Sequence, residues 1–86
     1  MTRDTHNRLT AIAGGYGFYG ERAEELIQYA IHIAHHTDLT AIVAMEDLCE
    51  YETDEYWHMI VPLEEYVDNT IRLRRKYQKP LFQLGA

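Results

Sequence analysis

At 86 residues the chain has room for one domain, because a polypeptide of this size buries only about 60–65% of its unfolded surface and cannot be divided further. Its apolar content of 47% excludes wholesale disorder, and its single cysteine, Cys49, excludes the intrachain disulfide framework that supports many small secreted domains. The net charge of −6 is unevenly spread: residues 23–71 hold twelve Asp and Glu and no Lys or Arg, while residues 72–86 hold five cations and no carboxylate.

In chain order, Met-Thr-Arg-Asp-Thr-His-Asn-Arg has no apolar signal core, and no later apolar run approaches about 18 residues. A protein of the reducing cytoplasm without a membrane partner is expected. Thr5 or Asp4 is placed to cap a short helix through Asn7–Ala13, which Gly14-Gly15 then stops. Residues 14–20 contain four glycines and three aromatics. They lack the Lys-Ser/Thr of a phosphate-binding loop and the leading strand of a dinucleotide fingerprint. This segment reads as a turn whose aromatics cover one end of a bundle.

From Glu21 to His36, Ala23, Leu26, Ile27, Ala30, Ile31 and Ala34 repeat at the three- and four-residue spacing of one buried helical face. Glu21, Glu24 and Glu25 near its start and His35 and His36 at its end suit the helix macrodipole. His32 and His36 share a face and invite a metal reading. However, Ile33 stands where a zinc-protease helix needs its glutamate, and no second ligand pair completes a site. A solvated histidine cluster is expected, with no metal and no cofactor.

Thr37-Asp38 is expected to break that helix and cap the next, on which Ala41, Ile42, Met45, Leu48 and Cys49 form one apolar face. Glu46, Asp47 and Glu50 gather on the opposite side, and Asp54 joins them if the helix continues. The stretch Glu46–Trp57 holds six carboxylates and three aromatics, Tyr51, Tyr56 and Trp57. Like charges at these spacings destabilise a helix by a few tenths of a kcal/mol per pair, and no Lys or Arg in sequence reach relieves them. Glu52 falls on the apolar face and Thr53 is a good N-cap, so a break is placed near 52–53 with a helix from about Asp54; one unbroken helix is the alternative. Pro62 kinks the chain or opens a new helix at its first position. Leu63, Tyr66, Val67, Thr70, Ile71 and Tyr77 make its buried stripe, Arg72, Arg74, Arg75, Lys76 and Lys79 load its far end, and Pro80 is expected to stop it.

The fold class expected from these patterns is all-α, a compact bundle of three to four helices forming a single domain over residues 1–86. A homodimer is expected as well, because a core this small gains from added burial. Catalysis has no support in the motifs. Glu55-x-x-His58 has the spacing of a carboxylate-bridged di-iron helix but lacks its mate, and Cys49 falls on a buried face away from a base. Direct nucleic-acid binding through residues 72–79 is opposed by the acidic body, leaving a small DNA-associated regulator, or a metal- or ligand-binding bundle using the histidines, as alternatives. The acidic face favours the reverse arrangement. Carboxylates on a rigid helix imitate phosphates and can occupy a basic groove on a nucleic-acid-handling protein, with aromatic neighbours as anchors. Glu46, Asp47, Glu50, Tyr51, Asp54, Glu55, Tyr56 and Trp57 are the expected partner-binding residues. In composition the chain resembles phage-encoded inhibitors such as anti-CRISPR proteins, a resemblance that rests on no motif and implies an inhibitory binding role.

Overall fold

The computed structural model describes residues 2–55 and 60–85, with side chains described as far as Arg75. The protein is all-α, and the described residues contain no strand. The helices are α1 (Arg3–Gly15), α2 (Gly20–His36), α3 (Ala41–Thr53) and α4 (Leu63–Gly85). The first three pack against one another around Leu9, Ala13, Leu26, Ile27, Ile33, Met45, Leu48 and Cys49, while α4 lies mainly against α2.

Each helix end has a local cause. Thr2, and not Thr5 or Asp4, caps α1, its hydroxyl accepting from the Thr5 amide at 3.2 Å. At the other end Gly17 takes φ of +90°, a left-handed conformation that a side chain would strain. The Phe18 amide then reaches back to the Ala13 carbonyl (2.9 Å) and the Gly17 amide to that of Gly14 (3.0 Å). This is a Schellman closure, and it turns Phe18 onto the core. The expected turn is therefore present, one residue beyond the Gly14-Gly15 pair.

In α2 the buried face follows the expected stripe with one correction. Ile33 is fully buried, whereas Ile31 and Ala34 are half-buried. Ile33 lies seven residues after Leu26 and three after Ala30, which places it on the same stripe. Thr37 closes this helix: its hydroxyl donates to the Ile33 carbonyl (2.7 Å) and accepts from the Leu39 amide (3.1 Å). Thr40 takes over as the cap of α3, accepting from the Val43 amide at 3.2 Å. The expected Thr37-Asp38 cap is thus displaced by a short Thr-based turn that spaces the two helices.

α3 ends at Thr53, and Asp54 leaves the helix with ψ of 98°, so no single helix runs from 41 through 61. Thr53 is not an N-cap; its hydroxyl donates to the Glu50 carbonyl at 2.9 Å. Pro62 stands just outside α4, and its carbonyl accepts the first intrahelical bond from the Tyr66 amide (3.0 Å). Leu63 and Val67 are buried and Tyr66 and Ile71 half-buried, as their spacing predicts, while the Tyr77 side chain lies outside the described set. The backbone of α4 stays helical through Pro80 to Gly85. Proline's fixed φ is compatible with helix, and its cost falls on one missing hydrogen bond and the carbonyl four residues before it. Among the described residues no helix is long and apolar enough to cross a membrane.

Candidate functional site

The acidic side of α3 and the first half of α4 enclose an open cleft of about 500 Å³ lined by Asp47, Glu50, Tyr51, Asp54, Val61, Tyr66, Asn69, Thr70 and Leu73. Its base is aromatic. The Tyr51 and Tyr66 rings stack 3.9 Å apart at 11°. The Tyr51 hydroxyl donates to the Val61 carbonyl, tying the end of α3 to the approach of α4. The Tyr66 hydroxyl donates to Asp47 Oδ2 at 2.6 Å. Burial first, and then the bond to Asp47 and its charge, push the Tyr66 phenol well above its ordinary range. A second tyrosine reaches the stripe from the α1–α2 turn, Tyr16 donating to Glu50 Oε1 at 3.4 Å.

The eight expected partner-binding residues separate into groups. Glu46 and Glu50 are exposed, as are Asp54 and Glu55 just beyond the helix, and Asp47 is half-buried beside Tyr66. Tyr51 requires a correction. It is only 8% exposed and belongs to the core, because one further turn of α3 after Leu48 brings position 51 back onto the packed side. Its ring lines the cleft from the core side and is not an exposed aromatic. Tyr56 and Trp57 lie outside the described residues, as does His58 of the Glu55-x-x-His58 pair.

Electrostatics distinguish this side of α3 from the rest of the molecule. Arg22 bonds Glu52, whose side chain is 2% exposed, and also Glu25 at 3.0 Å; His6 meets Glu24 at 3.0 Å and Arg8 meets Asp4 at 3.5 Å. Among the described residues no Lys, Arg or His lies within ion-pair distance of Glu46, Asp47 or Glu50. Tyrosine hydroxyls meet two of them instead, and a neutral hydroxyl leaves the carboxylate charge in place. The last turn of α3 contains no basic residue either, so the negative end of its macrodipole adds to the same field. No family model, curated protein or solved structure matches this chain.

The other candidate groups are placed differently. His32 and His36 are exposed, their rings edge-on with centroids 4.6 Å apart, and His35 is exposed beside them. Among the described residues no group of three or more His, Cys, Asp or Glu is arranged to hold a metal ion. Cys49 is fully buried, and burial raises its thiol to about 11, the reverse of the lowered value a nucleophilic cysteine needs. The sequence reading overlooked Tyr16, Val61, Asn69, Thr70 and Leu73 as neighbours of the acidic stripe. One signal was present: Tyr66 sits in an apolar stripe, and a phenol pointing inward needs an acceptor close by.

Proposed function

We propose that this chain is a small acidic binding protein that occupies a basic, nucleic-acid-binding surface of a partner protein and so inhibits it, as phage-encoded anti-defence inhibitors do. The observation that carries the reading is the concentration of Glu46, Asp47 and Glu50 on one rigid helix face with no cation beside them among the described residues. Like charges at three- and four-residue spacing weaken α3, so the arrangement is explained if a partner supplies the missing cations. The cleft beneath adds apolar surface from Val61 and Leu73, which suits the hydrocarbon stem of a lysine or arginine whose charged end meets the carboxylates. No catalytic role is assigned; the protein works by occupancy.

The test begins with capture of a basic nucleic-acid-binding protein on the immobilised chain at low and moderate salt, followed by association kinetics. Glu46→Gln combined with Glu50→Gln is expected to slow association about tenfold and flatten its salt dependence, because opposite fields steer encounter. Added nucleic acid is expected to compete. A captured protein that binds the double variant as fast as the parent, or binds nucleic acid and the parent together, would end the proposal.

A further inference from the structure

The same chain carries cations as well as the carboxylates Glu46, Asp47 and Glu50, which have none within ion-pair distance among the described residues. Arg72, Arg74 and Arg75 are exposed on α4, and among the described residues none of them forms an ion pair; Arg72 donates only to Asn69 Oδ1 of the preceding turn. Leu73 stands among them, 50% exposed at the edge of the cleft. Among the described residues none of the three arginines pairs with Glu46, Asp47 or Glu50 of its own chain. α4 is one continuous helix from Leu63, and at about 1.5 Å per residue Arg74 lies roughly 12 Å along its axis from Tyr66, carried away from Asp47.

We infer that a second copy of this chain fills the cleft, laying Arg72 and Arg74 of its α4 against Glu46, Asp47 and Glu50 and receiving the same contact in return. A two-fold interface demands this reciprocity: whatever one surface offers, it must also accept. The molecule meets the demand because Leu73, which lines the cleft with Asp47 and Glu50, has Arg72 and Arg74 about 100° to either side of it on α4 and is the apolar element that the pairing covers. The small core supplies the further reason, since association adds burial that a chain of this length cannot find internally. The inference does not depend on the basic-partner reading. If both hold, dimerisation and partner binding compete for one surface, and the dimer is the self-capped form.

Sedimentation velocity on the full chain at about 0.1 M and about 1 M salt tests it, because the Debye length contracts from about 10 Å to about 3 Å between those conditions. The expected result is a dimer at the lower salt whose dissociation constant rises at least about tenfold at the higher. Two charge-reversed variants then locate the surface: Arg72→Glu with Arg74→Glu, and Glu46→Lys with Glu50→Lys. All four positions are exposed, and far-ultraviolet circular dichroism checks that each variant remains helical. Each variant alone is expected to be monomeric, and an equimolar mixture is expected to recover the dimer, because one of its two contacts is then native and the other is reversed on both sides, so that both are complementary. A wild-type monomer at low salt, a dimer untouched by either reversal, or a mixture that stays monomeric overturns the inference. A monomer that still captures a basic partner through Glu50 leaves the proposed function intact and removes only self-association.

Discussion

Glu50 and Glu52 stand two residues apart on α3 and are handled in opposite ways. Glu52 turns inward, is 2% exposed, and meets Arg22 of α2. Glu50 turns outward to the cleft, where its carboxylate accepts from the Tyr16 hydroxyl at 3.4 Å. A carboxylate removed from water must find a cation or lose its charge, and on the α2-facing side of the helix Arg22 supplies that cation. The outward side keeps its charge because water solvates it, and nothing about folding requires that charge to be answered. One side of α3 therefore serves stability, and the other is free to serve recognition.

The sharpest way to break this contrast is at Arg22. Arg22→Ala removes the guanidinium that meets the buried Glu52 carboxylate and is expected to cost about 2–3 kcal/mol, below the usual figure for a fully buried pair because the guanidinium is 37% exposed. The urea midpoint reads the loss, and adding Glu52→Leu is expected to return most of it, since an apolar residue needs no counter-charge. A single variant as stable as the parent would show that the pair does no structural work.

On the cleft side the effects shrink. Tyr66→Phe removes one hydrogen bond to a charged acceptor that water can still reach, and a loss of about 1 kcal/mol is expected by the same measurement. The phenol also predicts a pH dependence. The folded state holds the Tyr66 proton above the ordinary value of 10.0, chiefly through burial, whereas the unfolded chain releases it there. The unfolded state thus binds fewer protons in alkali, so this contribution is complete below about pH 10 and declines as the pH rises further. Tyr66→Phe is expected to flatten that alkaline decline, as followed by urea unfolding between about pH 8 and about pH 11.

The smallest expected effect has the opposite sign. Glu46→Gln with Glu50→Gln relieves an i, i+4 repulsion and is expected to raise stability by a few tenths of a kcal/mol, visible as a slightly higher Tm at low salt that merges with the parent at high salt. A clear loss would mean that these carboxylates are engaged within the fold, and the recognition side of the comparison would fail.

What the chain reveals before folding follows the range of the interaction involved. The period of α2 and the apolar face of α3 are local patterns, and Leu26, Ile27, Met45, Leu48 and Cys49 are buried where that spacing puts them. Caps are local too but degenerate: Thr2, Thr5, Thr37 and Thr40 are all competent by residue type, and the structure uses Thr2 for α1 and Thr40 for α3. Arg22–Glu52 spans thirty positions, and nothing in either neighbourhood announces the other beyond a glutamate on an apolar face. Asp47 was legible as an acid on the outer side of a helix, but its tyrosine partner on α4 depends on how the connection through Val61 returns the chain. For the same reason the acidic stripe was visible in the sequence while the cleft beneath it was not.

The stacked Tyr51–Tyr66 pair makes the cleft its own optical reporter. Two phenol rings fixed 3.9 Å apart and nearly parallel sit in a rigid chiral frame, and near-ultraviolet circular dichroism persists only while such packing is fixed. A guest settling between Thr70 and Leu73 changes the surroundings of those rings without any attached dye. Occupancy is therefore readable on the unmodified protein, in the same cuvette and at the same concentrations used to weigh the complex.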